Sequence, residues 1–351
     1  MSEKLRVGIL GATGMVGQRF ISLLENHPWF HVAALAASPR SAGKTYEEAV
    51  GNRWAMQKPM PESMKQMVLF DATADVDKIA GMVDFVFCAV DMKKDEIRAL
   101  EERYAKAECP VVSNNSAHRF TPDVPMVVPE INPEDALHHH GIIANPNCST
   151  IITLVAVAAL RRLSPITSMV AATYQAVSGA GAGGPVELEA EVDALYKGEP
   201  VQPHIFPYQI AYNLIPKIGS QSYEGYTSEE MKLQNEGRKI LHLPEMKVSC
   251  TCVRVPVMRS HSIAVTARFE RPISVEEARA AIAAAPGCRL VDDLSQDVYP
   301  MPLDTSDQDL VYVGRIRPDL TNPNGLCLWC CGDQIRKGAA TNAVQIAELL
   351  L

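Results

Sequence analysis

A glycine-rich turn between a strand and a helix most strongly limits how the N-terminal part of this chain can fold. The apolar run at 6–10 predicts a strand, the turn Gly11-Ala-Thr-Gly14-Met-Val-Gly17 follows it, and helical spacing continues to about residue 25. A second strand is predicted at 31–37. This strand–helix–strand unit begins a parallel sheet.

The glycine spacing in this turn also predicts dinucleotide binding. Gly11 would allow the tight turn, Gly14 would let the backbone approach a pyrophosphate at the helix N-terminus, and Gly17 would allow close helix packing. The alternative is a turn that binds nothing, but the preceding strand and the following helix favour the dinucleotide site.

The rest of the chain divides into two patterns. Further alternation of strand and helix is predicted at 84–90, 93–106 and 110–113. It predicts a Rossmann-type, doubly wound parallel sheet, and so an α/β fold. After a Pro-containing turn near 145–150, longer β-rich runs and helical stretches predict an α+β second domain with a largely antiparallel sheet; they lie at 169–176, 186–196, 228–241, 248–257 and 261–269.

Composition excludes several classes of protein. The 351 residues carry a net charge of -8, which argues against a nucleic-acid or anionic-membrane partner. No apolar run reaches the roughly 18 residues of a membrane span, and residues 1–6 show no signal-peptide pattern. Nine cysteines are too sparse for a disulfide scaffold. We therefore expect a cytoplasmic protein.

The second predicted strand favours NADP over NAD. It ends in Ala37-Ser38-Pro39-Arg40-Ser41, without the acid that takes the ribose 2'-hydroxyl in NAD sites. Ser38 and Arg40 can instead donate hydrogen bonds to a 2'-phosphate. The alternative reading of Arg40 is a solvated loop charge.

Cys148 is the cysteine placed to react. It precedes the apolar helical run 151–160, and the positive end of a helix dipole would lower its pKa. The other cysteines have the surroundings of buried small hydrophobes. Cys327-x-x-Cys330 lacks a second pair at suitable spacing, so we expect no metal.

A nucleophilic thiol needs a base, and His261 is one of nine histidines. It follows Arg254 and Arg259 at a strand boundary. Spacing alone makes His261 a weak candidate, and a structural histidine is the alternative.

Five segments together resemble the aspartate-β-semialdehyde dehydrogenase family. They are the glycine turn, Ser113-Asn-Asn-Ser-Ala-His-Arg119-Phe, Asn145-Pro-Asn-Cys148-Ser-Thr, Tyr174-Gln175-Ala-Val-Ser-Gly-Ala-Gly-Ala-Gly-Gly184 and Arg254-Val-Pro-Val-Met-Arg-Ser-His261-Ser. They occur in the family's order along essentially the whole chain. The stretch Ser38-Pro-Arg-Ser-Ala-Gly-Lys44 looks more like the archaeal and fungal branch than the typical enterobacterial one.

The resemblance implies the reversible, NADPH-dependent reductive dephosphorylation of β-aspartyl phosphate to aspartate β-semialdehyde. This reaction lies on the route to lysine, threonine, methionine and isoleucine. By position, Cys148 would be the nucleophile, His261 the acid–base group and Gln175 the residue that orients the acyl intermediate. Arg254 would hold the substrate carboxylate, and Arg119 would hold the phosphate.

The resemblance also implies further contacts and the extent of the domains. Glu230 and Lys232 match a pair near the substrate amine and phosphate. Cofactor contacts are implied for Gly11, Thr13, Gly14, Met15, Val16, Ser38, Arg40, Ser41, Ser178, Gly179 and Asn342, the last close to the nicotinamide. The C-terminal helix 335–351 would join the cofactor domain 1–147, leaving 148–334 as the catalytic and dimerisation domain of a homodimer or homotetramer.

The chemistry is consistent with these roles. A thiolate attacks an acyl phosphate to give a thioester, which a hydride then reduces. Backbone N–H groups near Cys148 could stabilise the oxyanion, and two arginines offer planar forks for the two anionic groups.

Three alternatives stay open. N-acetylglutamyl-phosphate reductase is disfavoured by the wording of the segments around Cys148 and Gln175, whereas malonyl-CoA reductase shares the branch resemblance. A non-catalytic NADP-binding sensor would not need Cys148, His261 and the two arginines together.

We predict that NADPH binds more tightly than NADH. The Arg40→Ala variant should narrow this preference, because a charge-assisted contact to the 2'-phosphate contributes on the order of 1.5–3 kcal/mol. Titration of both cofactors against both proteins tests this, and equal affinities in the unchanged protein would contradict it.

Overall fold

The first strand, Leu5–Leu10, is a central strand of a parallel sheet in the computed structural model, which describes residues 4–351. Residues 1–3, part of the stretch expected to carry no signal peptide, lie outside the described residues. The described residues form two compact units: unit 1 contains residues 4–146 and 339–351, and unit 2 contains residues 147–338.

Unit 1 contains a six-stranded sheet in the order β3-β2-β1-β4-β5-β6, with every pair parallel. This confirms the predicted doubly wound sheet, whose strand order reverses beside β1. The strands are β1 (Leu5–Leu10), β2 (Phe30–Ala37), β3 (Phe70–Asp71), β4 (Phe85–Cys88), β5 (Val111–Ser113) and β6 (Ile142–Ala144). The helices are α1 (Met15–Leu24), α2 (Tyr46–Val50), α3 (Glu62–Lys65), α4 (Val76–Ala80) and α5 (Lys94–Lys106).

Two glycines of the turn after β1 are required by close packing. Gly11 has φ +82°, and a Cβ there would lie 2.3 Å from the carbonyl oxygen of Ala89. A Cβ at Gly17 would lie 2.2 Å from the carbonyl oxygen of Gly11. At Gly14 the nearest atom would be 3.5 Å away, so the fold tolerates a side chain there.

Unit 2 contains a mixed six-stranded sheet in the order β10-β11-β12-β9-β7-β8. Its strands are β7 (Ile166–Gln175), β8 (Lys247–Arg254), β9 (His261–Phe269), β10 (Cys288–Leu290), β11 (Val311–Pro318) and β12 (Gly325–Gly332). The three central pairs are antiparallel, as predicted, and the two outer pairs are parallel. Parallel pairing of β7 with β8 is possible because a long connection joins them.

The helices of unit 2 are α6 (Cys148–Ala158), α7 (Gly183–Lys197), α8 (Ser228–Leu241), α9 (Val275–Ala284) and α10 (Pro302–Thr305). Residues 149–157 of α6 are all buried, so this helix lies in the core. Helix α7 contains two buried glutamates that bind the backbone of the segment after the helix. Glu187 accepts the backbone N–H groups of residues 204–206, and Glu191 accepts those of residues 210 and 211.

The chain returns to unit 1 at its C-terminal end. A π-helical turn at Arg336–Ala340 precedes α11 (Thr341–Glu348). Ala343 and Ile346 of α11 belong to the same buried cluster as Ile9 and Phe87 of the sheet. Unit 1 therefore completes its core with residues that follow unit 2 in sequence.

None of the helices within residues 4–351 has the length and apolar character needed to span a membrane.

We predict that Gly17→Ala lowers the free energy of unfolding by at least about 1–3 kcal/mol, because the added methyl group overlaps backbone atoms that cannot move aside. Gly14→Ala is the matched control and should leave the stability nearly unchanged. Denaturant unfolding of both variants without cofactor measures the difference, and equal losses in stability would contradict the packing argument.

Candidate active site

A cleft of about 740 Å³ lies at the carboxyl ends of the unit 1 strands. Six of the residues predicted to bind the cofactor line it: Gly11, Thr13, Gly14, Ser38, Arg40 and Ser41. Ala89 and Val90, which follow β4, form part of its wall. Met15 and Val16 begin α1 and do not line it.

The cleft fits a phosphorylated dinucleotide. Gly14 is the N-cap of α1 and places no side chain on the N–H groups of that helix end, which leaves them available to a pyrophosphate. Arg40 is joined by two cations, Lys44 and Arg53, which the sequence analysis missed. Lys44 ends the stretch Ser38–Lys44 discussed above, so its positive charge could have identified it as a candidate for binding phosphate.

The catalytic candidates of unit 2 begin at the N-terminus of α6. Cys148 is the first residue of this helix and is partly exposed, and Asn147 is its N-cap. The Oδ1 atom of Asn147 accepts the backbone N–H groups of Ser149 (3.0 Å) and Thr150 (3.2 Å). Among the described residues, the N–H of Cys148 is the only one in this first turn without an acceptor. Of the backbone donors predicted to stabilise the oxyanion, only this one is therefore free to do so.

Glu229 connects the residues around Cys148. Its Oε1 accepts the side-chain amides of Asn147 (3.0 Å) and Gln175 (3.4 Å), and its Oε2 lies 2.7 Å from Nζ of Lys232. The structure thus brings Gln175 and Lys232 together as expected, through a carboxylate that the sequence analysis did not name.

Glu230 does not belong to this cluster, contrary to expectation. Its Oε2 accepts the N–H of Thr227 (2.7 Å), its own N–H donates to the Thr227 hydroxyl (3.3 Å), and its Oε1 accepts the N–H of Cys252 (3.0 Å). The two bonds with Thr227 form the capping box of α8. The spacing Thr227-x-x-Glu230 is the sequence signature of that cap, so it could have assigned Glu230 to the helix end instead of the site.

The side chains of His261 and Arg254 both lie close to the backbone of Gly179. A Cβ on Gly179 would lie 2.6 Å from a guanidinium nitrogen of Arg254 and 3.0 Å from Cε1 of His261. The Nδ1 atom of His261 accepts the N–H of Ala176 (3.1 Å), and Arg254 donates to the carbonyl of Ala176 (2.7 Å). The Nε2 atom of His261 is buried without a partner among the described residues.

The bond from Ala176 determines the tautomer of His261. Because Nδ1 accepts a hydrogen bond, a neutral ring carries its proton on Nε2. Burial, supported by the charge of Arg254 and opposed by Glu229, lowers the pKa of His261 to about 3. His261 is therefore neutral at physiological pH and offers Nε2–H as a donor.

The thiol of Cys148 is also neutral in the resting protein. Burial and then the charge of Glu229 raise its pKa to about 11, against the opposing charges of Lys232 and Arg254. The expectation that the helix dipole lowers this pKa is therefore wrong, because the loss of solvent and the nearby carboxylate outweigh it. Glu229 itself stays ionised: burial raises its pKa, but Lys232 and its hydrogen bonds bring it below the usual value.

The remaining predicted residues occupy other positions. Arg119 is buried in unit 1 and donates to the carbonyls of Asn145 (3.0 Å) and Asn114 (3.2 Å). Asn342 is fully buried and donates to Val127 and Asn145. The Ser178 hydroxyl accepts a hydrogen bond from the side chain of Gln334.

Comparison with known proteins points to one family. Residues 6–139 match the model described as semialdehyde dehydrogenase, NAD binding domain, and residues 157–337 match semialdehyde dehydrogenase, dimerisation domain. The chain is 46% identical to an aspartate-semialdehyde dehydrogenase from Synechocystis sp., covering 100% of this chain and 98% of the relative.

Solved structures agree. Aspartate semialdehyde dehydrogenase II from Vibrio cholerae, complexed with ASA, has a TM-score of 0.89 and 36% identity, covering 99% of this chain and 98% of that one. The Candida albicans enzyme with NADP has a TM-score of 0.79 and 30% identity, again covering 99% of this chain and 98% of that one. The expected archaeal and fungal branch is not supported, since the Synechocystis and Vibrio cholerae relatives share more of the sequence than this fungal one.

We predict that Glu229→Gln accelerates alkylation of Cys148 by iodoacetamide several-fold at pH 8. Removing the carboxylate charge lowers the pKa of the thiol, and more thiolate is then present. In the unchanged protein the rate should rise with pH up to about pH 10 without a plateau, since its thiol has a pKa of about 11.

The control is Glu230→Gln, which keeps an acceptor for the cap of α8 and should leave the alkylation rate unchanged. Mass spectrometry of the peptide containing Cys148 separates its labelling from that of the other eight cysteines. Equal acceleration in both variants would show that Glu229 does not control the thiol.

Proposed function

The chain belongs to the aspartate-semialdehyde dehydrogenase family, and we propose the following roles for its residues in the reaction of that family. It is a nicotinamide-dependent oxidoreductase of amino-acid biosynthesis. The reaction converts β-aspartyl phosphate to aspartate β-semialdehyde and phosphate, and it is reversible. NADPH, when bound in the cleft of unit 1, supplies the hydride.

Cys148 forms the covalent intermediate. Its sulfur attacks the acyl carbon, the bond to the phosphate oxygen breaks, and the thiol proton leaves with the phosphate as hydrogen phosphate. Hydride then adds to the thioester carbon, the carbon–sulfur bond breaks, and one proton from solvent restores the thiol. The thiolate exists only while substrate is present, because the resting thiol is neutral.

His261 donates Nε2–H to the oxygen that becomes negative in each tetrahedral intermediate. The observation that carries this proposal is the buried Nε2 atom without a partner, on a ring fixed through Nδ1 by the N–H of Ala176. Protonation of Nδ1 would place its N–H against the N–H of Ala176, and this hydrogen bond would be lost. The main function of His261 is therefore to donate a hydrogen bond to the oxyanion as a neutral ring. The N–H of Cys148 is the second donor to the oxyanion.

Arg254 binds the substrate carboxylate. One nitrogen donates to Ala176, and the rest of the buried guanidinium has no hydrogen-bond acceptor among residues 4–351. A carboxylate supplies paired acceptors for this fork. Glu229 replaces Glu230 as the group that receives the substrate amine, beside Lys232, while Gln175 orients the acyl group and Arg119 binds phosphate.

The cofactor is NADP, and the protein is a homo-oligomer. Ser38, Arg40 and Lys44 in one cleft support recognition of a 2'-phosphate. The match to a dimerisation domain supports assembly through unit 2. Within 205–215, Ile210 and Ile215 are buried in the core, whereas Tyr208 and Tyr212 are exposed and available to a second copy. A dimer or tetramer in the cytoplasm stays a prediction.

We predict that Cys148→Ala abolishes turnover, since no other group forms the thioester. His261→Ala should lower kcat by a factor of about 10²–10³, the usual loss for one oxyanion donor. His261→Gln keeps an N–H donor and should recover part of this loss. Steady-state rates with aspartate β-semialdehyde, phosphate and NADP test this, and equal rates in the two His261 variants would mean that proton transfer, not donation, is the main function of the ring.

A further inference from the structure

We propose that Glu101 is a positioning residue that holds the loop 113–119, through Ser113, in the conformation that presents Arg119 to phosphate. This inference rests on the phosphate-binding function proposed above for Arg119. Glu101 lies on α5, outside the cofactor cleft and outside the cluster around Cys148.

Glu101 is attached to the start of the loop. It is fully buried, and its Oε1 accepts the Ser113 hydroxyl at 2.5 Å. The same hydroxyl oxygen accepts the N–H of Asn115 (3.1 Å), whose side chain donates to the carbonyl of Val90 (2.7 Å). Because Val90 lines the cofactor cleft, this chain of hydrogen bonds connects the loop to the wall of that cleft.

The other end of the loop is attached to the same helix. Arg98, one turn before Glu101, donates to the carbonyl of Ala117 (2.9 Å). Arg119, two residues beyond the second attachment, donates to the carbonyl of Asn114 (3.2 Å), which lies between the two attachments. One of the bonds that position the guanidinium is therefore made to the backbone that Glu101 holds, while another is made to Asn145.

Charge provides a second link between Glu101 and Arg119. Burial raises the pKa of Glu101 to about 7, while the bonds from Ser113 and Cys88 and the charge of Arg119 oppose the increase. Its Oε2 has no hydrogen-bond partner among the described residues and lies 4.0 Å from Nε2 of His118.

This environment is costly for a carboxyl group. An apolar side chain would avoid the desolvation. The stability of the unit therefore does not explain a glutamate at this position, whereas holding the loop does.

The test measures both Michaelis constants in the oxidative direction. We expect Glu101→Leu and Ser113→Ala each to raise the KM for phosphate roughly five- to tenfold, the effect of losing one orienting hydrogen bond, with little change in the KM for semialdehyde. Glu101→Gln keeps an acceptor oxygen for Ser113 but loses the charge, so it should raise the KM for phosphate much less than Glu101→Leu does. The Glu101→Leu/Ser113→Ala double variant should be no worse than either single one, since both remove the same link.

Two reference variants separate the possible failures. Arg119→Ala reports on the proposed function: if its KM for phosphate is unchanged, that function is wrong and the inference falls with it. If Arg119→Ala raises this constant but Glu101→Leu does not, the inference alone is overturned.

Leu100→Ala, at a buried position beside Glu101 on α5, reports on stability. It should lower the melting temperature without separating the two constants. If Glu101→Leu lowers the melting temperature and shifts both constants alike, Glu101 only stabilises the fold and the positioning inference is overturned.

Discussion

The side-chain amide of Asn147 makes the contacts on which the site of unit 2 depends. Its oxygen caps α6 at Ser149 and Thr150, and its nitrogen donates to Glu229. An amide supplies an acceptor and a donor at once, so one side chain fixes both the helix that carries the thiol and the carboxylate beside it. The same cap occupies two N–H groups, which leaves the N–H of Cys148 to the substrate.

The resting site keeps its reactive groups uncharged. Burial raises the pKa of Cys148 and lowers that of His261, so both are neutral at physiological pH. Glu229 is paired with Lys232, and Arg254 then provides the excess positive charge. Such a site attracts an anionic substrate without holding a permanent thiolate, and a neutral thiol reacts slowly with oxidants.

The parts of the structure that follow local rules could be predicted from the sequence. The strand–turn–helix around Gly11 and the bounds of α8 and β9 follow from periodicity and glycine spacing. The parallel outer pairs of the second sheet could not be predicted, because pairing depends on connections that periodicity does not describe.

The site shows the same division. Cys148 at a helix start was readable from the sequence, but the direction of its pKa shift was not. The helix dipole is a local effect, whereas burial and Glu229 come from the tertiary structure. Excluding Glu230 needed only the capping rule, whereas the contacts of Glu229 and the partners of His261 required coordinates.

The return of the chain to unit 1 affects the order in which the protein can form during synthesis. The core of unit 1 includes α11, which leaves the ribosome only after all of unit 2. While unit 2 is translated, the sheet and its glycine turn therefore lack the part of their core that α11 supplies. Because its sequence segment is continuous, unit 2 can fold first. The nascent chain thus contains the complete thiol-bearing unit before the dinucleotide-binding unit is finished.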